Sequence, residues 1–505
     1  MFTSIPSLSI LFWIGFPLVL LYPLIKWIVR YFRWWKKFYH LPRLNSPPIV
    51  KDFSRISLLR HTPHKLHRSQ FKETGWFVAW ASYYPFIYVF KSKPAHTILS
   101  NTNFLSRGWP VNVACSGYEN LVSLDGQRWK DRKCLAARSF SIDVIQSFLP
   151  IVVKNAENLV NDIETKLGSD FSFYELFIDY VMSIILETSI GLEKSSQWPG
   201  TPIIHRGLKT WFSSQFDRLS RLYLWFEPIN ILWQKIKGDK NNYDHCISLV
   251  REVIENRLKS KGSDHDQLYG DGKMSKKPFL SHMVDQFAAQ SVQSGNQKAS
   301  IDFNELLDET LAIIVASYET VANTSTWTLF NLACNPSVQE RLYQELINFD
   351  DTQDITIQCL DSYKYLDQCV SENLRLRPPV GITLRNIEQD ITLDNSDIPK
   401  NTLAAISIYA IHHDESIYPS PDIFDPDRFN PENRAKIPPG GYIPFGEGPR
   451  RCIGGKLGLT IVKIILAHMI KRFVVTAINP EKIKIRNDIF TRTEEPIMLS
   501  FTPRS

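Results

Sequence analysis

A chain of 505 residues can bury a large core, and length alone suggests about two to four domains. With 44% apolar and 22% charged residues, it has the composition of a globular protein rather than a disordered one. A formal net charge of +6 is modest for this size and excludes neither membrane nor nucleic acid, so where the charge sits matters more than its total.

The chain opens on an apolar run. No charged side chain occurs from Met1 to Ile25. About 20 helical residues cover roughly 30 Å, so this run approaches a bilayer span. Pro17 and Pro23 would kink it, which membrane helices tolerate. Lys26, Arg30, Arg33, Lys36 and Lys37 follow, interleaved with Trp27, Tyr31, Trp34 and Trp35. Cations among aromatics mark a cytoplasmic membrane edge. A cleaved secretory peptide would need basic residues before the run and a small-residue cleavage site after it, and neither is there. The segment Leu41–Pro48, rich in proline, reads as a stiff linker. The division expected is an anchor over 1–25, a basic and aromatic flank with linker over 26–50, and one catalytic body over 51–505.

Within that body, β-branched and aromatic residues from Trp76 to Leu99 predict strands, after which helical periods take over. Val152–Lys166 and Tyr243–Leu258 carry apolar residues at three and four spacing, and Lys261–Lys277 reads as a flexible surface loop. Asn335–Leu346 starts a helix, with Pro336 in its first turn. No internal repeat is present. Neither near-match to a dinucleotide fingerprint is completed: Gly446-Glu-Gly448 meets Arg451, and Gly270-Asp-Gly272 meets Ser275, where a third glycine belongs. The chain is therefore not expected to hold NADPH itself.

Seven cysteines are scattered along the chain: Cys115, Cys134, Cys246, Cys334, Cys359, Cys369 and Cys452. An odd set without CxxC pairs argues against a disulfide framework and a zinc site, and places the folded part in a reducing compartment. Cys452 stands apart because of its surroundings, Phe445-Gly-Glu-Gly-Pro-Arg-Arg-Cys-Ile-Gly-Gly455. Gly446, Gly448, Gly454 and Gly455 permit tight turns and close backbone approach to something large and flat. Arg450 and Arg451 supply positive charge, which favours a thiolate. Ile453 to Phe473 predicts a helix, so the thiol sits just before free N–H groups and a positive dipole end.

This segment resembles the haem-binding signature FxxGxRxCxG of the cytochrome P450 superfamily, matched by Phe445, Gly448, Arg450, Cys452 and Gly454. Three further motifs follow the family's order: Glu372-Asn-Leu-Arg375 is similar to ExxR, Pro426-Asp-Arg-Phe429 to the PERF-like segment, and Ala316-Ser-Tyr-Glu-Thr320 to the oxygen-binding segment. The resemblance implies that Cys452 ligates the iron of haem b (iron protoporphyrin IX), that Arg450 contacts a propionate, and that Phe445 shields the sulfur. A thiolate ligand of this kind favours O–O cleavage. Gly446 would lie against the same group. Trp129 and Lys133 occupy the WxxxR positions, with lysine in place of arginine and its bidentate fork lost. Arg385 matches a further propionate contact.

Ala312, Ala316 and Thr320 form a small-residue stripe on one helix face. The resemblance makes this the distal face of the haem, with Thr320 and Glu319 as the proton relay. Ser317 stands where the family usually has glycine. Glu372, Arg375 and Arg428 resemble the family's buried structural triad. Arg128, Lys130, Arg132, Arg451 and Lys456 would cluster on the proximal side, where a basic patch suits an acidic electron donor. Loop Val111–Asn120, the turn Val380–Leu384 and the region around Phe490 would line the pocket.

The fold expected is mainly α with a small β-rich region, preceded by one amino-terminal transmembrane helix in the endoplasmic reticulum membrane. The function expected is a monooxygenase that inserts one atom of O₂ into a hydrophobic small molecule. Its electrons would come from NADPH through cytochrome P450 reductase, with cytochrome b5 as a second candidate donor. Nucleic acid is not an expected partner. A P450 isomerase or dehydratase, and a haem-binding protein without turnover, remain as rivals.

Overall fold

The computed structural model describes residues 25–26, 28–43, 69–81, 84–115, 118–167, 173–192, 195, 198–259, 278–285, 302–349, 355–487, 491–493 and 495–504. The expected anchor over 1–25 therefore lies outside the described residues but for its last one, as do Phe490 and the surface loop over 261–277. Among the described residues, no single helix is long and apolar enough to cross a membrane.

The β-rich region is a four-stranded sheet. Strands β1 (Trp76–Ala81) and β2 (Tyr84–Val89) pair antiparallel, β2 runs parallel to β4 (Thr402–Ser407), and β3 (Ile382–Ile387) closes the far edge antiparallel to β4. Side chains alternate faces along a strand. Trp76, Val78, Trp80, Ile87 and Val89 pack in one core, while Phe77, Ala79, Phe86 and Tyr88 pack in another on the opposite face.

The expectation of strand as far as Leu99 is corrected: Ser92–Leu99 is helix α1. There the buried residues Ala95, Ile98 and Leu99 fall at three and four spacing, so the apolar period has already switched. The basic, aromatic flank is helical over 28–38. It buries Tyr31, Phe38 and Leu41 in the sheet core, and Val78 N donates to Pro42 O at 2.7 Å. The start of the expected linker is thus pinned to the sheet.

The rest of the described body is mainly helical. Helices α2 (Trp109–Ala114), α3 (Gly126–Ala137), α4 (Ile142–Thr165), α5 (Phe173–Ile185), α6 (Thr201–Ser220), α7 (Glu227–Lys237) and α8 (Asp239–Lys259) precede the central helix α9 (Phe303–Cys334). After it come α10 (Pro336–Leu346), α11 (Lys364–Leu376) and α12 (Gly455–Arg472). Helix α9 has 32 residues, about 48 Å at 1.5 Å per residue. It is capped by Asp302, whose carboxylate accepts from Glu305 N at 2.8 Å. Helices α4, α5, α9 and α12 pack around one apolar core.

One buried ion cluster locks the segment leading to Cys452. Arg375 Nε and Nη2 each donate to Glu372 at 2.7 Å, and both side chains are fully buried. Arg428 Nε lies 3.5 Å from the same carboxylate, and Asp425 N donates to it at 3.0 Å. Arg375 also donates to the carbonyls of His412, at 2.9 Å, and Ile423, at 3.2 Å. The triad therefore joins α11 to two points of the irregular chain that follows the sheet.

Candidate active site

Cys452 lies between a single 3₁₀ turn, Gly448–Arg450, and the start of α12. Its amide donates to Phe445 O at 2.9 Å, and Gly446 N donates to Ile443 O at 2.9 Å, so the loop closes on itself. Two glycines in it take positive φ, +69° at Gly446 and +71° at Gly448. A Cβ at Gly448 would sit 2.0 Å from Leu99 O, so the loop is pressed against the end of α1. A Cβ at Gly446 would meet nothing within 4 Å. The backbone is open there, as a flat ligand requires. The Phe445 ring lies against Gly455, 3.3 Å from where a Cβ would stand.

The Cys452 side chain is exposed, yet burial pushes its thiol pKa up. A group both reachable and desolvated lines an internal space. The amides of Gly454 and Gly455, with Arg107 and Arg451, favour the thiolate but do not outweigh burial. The expectation that Arg450 supports the thiolate is corrected here. Arg450 turns away to donate to Leu105 O at 2.6 Å, Leu121 O at 3.1 Å, Leu124 O and Asp125 Oδ1 at 2.9 Å. Coordination to a metal would ionise the thiol outright.

Three arginines, two buried and one half-buried, converge beside this space. Arg385 is 1% exposed and is pushed down to about 9 by burial and by the charges of Arg107 and Arg450. Arg450 is pushed down to about 10 by burial and Arg107, against the pull of Asp125. Arg107 is also lowered by burial, and its Nε has no hydrogen-bond partner among the described residues. Arg107 depresses both Arg385 and Arg450, and the three guanidiniums face two carboxylates, Asp125 and Glu388, so the cluster is short of negative charge. The Trp129 ring backs them, with the Arg450 guanidinium 4.2 Å and Lys133 Nζ 5.2 Å from its centroid. Lys133 Nζ donates to Pro449 O at 2.5 Å, which ties α3 to the cysteine loop.

Helix α9 supplies the other wall. Ala312 and Thr320 are half-buried and Ala316 is exposed, in the middle of an otherwise buried helix. The stripe therefore faces open space rather than a neighbouring helix. Thr320 Oγ1 donates to Ala316 O at 2.8 Å and lies 3.3 Å from Ser317 O. Helix α12 passes beside it: a Cβ at Gly458 would lie 3.8 Å from the Val321 side chain.

Glu319 points elsewhere. It lines a cavity of about 160 Å³ together with Glu175, His205, Lys209, Asn323 and Thr326, among others. Burial pushes His205 in that wall down to about 4. Thr320 is not part of this lining. The helix thus separates two residues that adjoin in sequence.

The expected proximal patch also changes. Arg132 is buried and pairs with Glu305 at 2.5 Å. Arg128 pairs with Glu119 and Glu305, and Lys456 with Asp361 at 2.6 Å. Residues two apart on a helix face opposite ways, so Lys130 stays exposed where Arg132 turns inward. Arg107 was not singled out by sequence reasoning. It sits in no motif, and its partners lie far along the chain.

The family model described as cytochrome P450 matches residues 44–501. The chain is 25% identical to cytochrome P450 4V2 of Rattus norvegicus over 447 residues, 87% of this chain and 84% of that protein. It is 28% identical to cytochrome P450 3A12 of Canis lupus familiaris, covering 82% and 80%. The solved structure of retinoic acid-bound cyanobacterial CYP120A1 superposes with a TM-score of 0.74 at 20% identity, covering 92% of this chain and 99% of that one.

Proposed function

The chain belongs to the cytochrome P450 family of monooxygenases, and from that premise we propose that it is a membrane-bound enzyme carrying haem b, which oxygenates a hydrophobic small molecule. Electrons would come from NADPH through cytochrome P450 reductase, with cytochrome b5 as a second donor.

The observation that carries this reading is the charge deficit at Arg107, Arg385 and Arg450, next to the open backbone of Gly446 and the exposed thiol of Cys452. Iron protoporphyrin IX has a flat ring, two carboxylates for the arginines and a metal for the sulfur. Bound on a thiolate, it supplies O₂ activation. Cys452 would hold its iron, Trp129 and Lys133 would back the carboxylate edge, and Phe445 would cover the sulfur.

The chain's own contribution on the other side is space and protons. Ala312 and Ala316 leave room on α9. Thr320 Oγ1, with its proton held by Ala316 O, keeps lone pairs free to accept a hydrogen bond, and would donate onward on turning that proton away from the carbonyl. Glu319 lines a separate cavity that Thr320 does not line, so this path runs through Thr320. This relay disfavours the isomerase and dehydratase reading, whose chemistry needs no delivered protons.

Attachment to the endoplasmic reticulum membrane is supported by one face of the molecule. Ile28, Val29, Phe32 and Tyr39 of the leading helix are exposed, as are Phe226, Leu232 and Ile236 at α7. A run of ring contacts, Trp34–Tyr84–Trp109–Trp225, connects the two patches. Apolar surface of this extent, edged by Lys26, Arg30 and Arg33, suits a lipid interface.

The test is a spectral binding screen of fatty acids, sterols, terpenoids and xenobiotics, followed by reductase-supported NADPH oxidation with each ligand found. Oxygenated product in step with NADPH consumption is expected. Ligand binding without any NADPH consumption would favour a haem protein without turnover.

A further inference from the structure

Helix α9 meets α3 and the segment 118–124 through a cluster of charges that the proposed chemistry does not use. Glu305, Asp308 and Glu309 stand at i, i+3 and i+4 on α9, facing Arg128 and Arg132 at i and i+4 on α3. Arg128 reaches Glu305 at 2.8 Å and Glu119 at 2.5 Å, while Arg132 reaches Glu305 at 2.5 Å and Glu309 at 3.6 Å. Glu119 N donates to Asp308 at 2.7 Å. Asp302, Cys115, Tyr118 and Tyr243 also face Asp308.

Three carboxyls, Glu119, Glu305 and Glu309, thus share two guanidiniums, and Asp308 is held by the Glu119 amide instead. Glu309 is fully buried, and among the described residues neither of its oxygens nor Nη1 of Arg132 closes a hydrogen bond of good geometry. Burial pushes the Glu309 carboxyl up to about 7, helped by Asp308 and Glu305 and opposed by the Leu121 backbone and Arg132. Asp308 is pushed up to about 6, chiefly by burial.

We propose that this cluster is a pH-sensitive clasp: with Glu309 neutral it holds segment 118–124 against α9, and ionisation of Glu309 releases that segment. Once released, Glu309 is solvated and has an ordinary carboxyl pKa, so opening is coupled to proton loss and is favoured as pH rises. The clasp reaches the cysteine loop through the same segment, because the Leu121 and Leu124 carbonyls accept from Arg450. It therefore adds a pH-dependent hold on an arginine placed at the haem edge. It does not depend on which substrate the enzyme takes.

The test is amide hydrogen exchange of the haem-loaded full chain, read on a peptide covering 118–124 and corrected for intrinsic rates. Linkage to a closed-state pKa of about 7 makes opening about tenfold more favourable at about pH 8 than at about pH 6. Wild type should lose protection by that factor, while Glu309→Gln should keep the low-pH protection at both values. Protection independent of pH in wild type, or a full tenfold loss in Glu309→Gln, overturns the proposal. Arg132→Gln provides a second reading if Glu309→Gln does not load haem. Removing the cation that favours ionised Glu309 should move the loss to higher pH, and an unmoved profile overturns the clasp.

Discussion

Under the proposed mechanism, Thr320 is where one atom would decide between productive and wasted turnover. Its hydroxyl lies on the small-residue stripe of α9 and is back-bonded to Ala316 O. Alanine there keeps the space and removes the proton path. A positioned proton relay contributes about 10²–10⁴-fold. Thr320→Ala should therefore bind haem and substrate and still consume NADPH, yet lose about two orders of magnitude in product and release hydrogen peroxide instead. The ratio of product to NADPH consumed measures this. An unchanged ratio would make Thr320 a packing residue, with Ser317 the next hydroxyl to examine. At this scale Cys452 was legible, because the glycines, the arginine and the following helix all lie within a dozen residues of it. Arg107 was not, since its meaning comes only from Arg385 and Arg450, which the fold brings to it. The parting of Glu319 from Thr320 was equally hidden, because it depends on what packs around the helix.

At the scale of elements, the Glu372–Arg375–Arg428 group holds α11 to the chain that leads into the cysteine loop. Removing one partner of a buried ion pair costs about 3–5 kcal/mol, because the remaining charge is left uncompensated. Glu372→Ala should thus yield little haem-loaded protein, with Arg375 stranded among carbonyls. A stable, fully loaded variant, measured by haem content after purification, would contradict that role. Helix α10 was legible from Pro336 at its first position, and α4 and α8 from their apolar periods. The β region was overextended to Leu99, since aromatic and β-branched content does not mark where the period changes. The inward turn of Arg132 was missed because a run of cations reads as one patch until the helix assigns each to a face.

For the whole molecule, the proposed membrane attachment rests on two features that the sequence separates by about two hundred residues. Removing residues 1–25 should convert an integral protein into one that high salt or alkali extracts. The apolar face around Phe32, Phe226 and Leu232 would then give only interfacial binding. Resistance to both treatments after truncation would mean that this face inserts far more deeply than an interfacial contact. The second patch was not legible, because the segment before α7 is linked to the leading helix through a relay of ring contacts, Trp34–Tyr84–Trp109–Trp225, made by the folded chain. The same holds for the active site, whose arginines come from the segment before α2, from β3 and from the cysteine loop. That assembly has one direct test. The ferrous carbonyl adduct of the purified protein should show the red-shifted Soret band of a thiolate ligand, and Cys452→Ser should abolish it. The same band persisting in Cys452→Ser would contradict the assignment of Cys452 as the ligand, and with it the central claim.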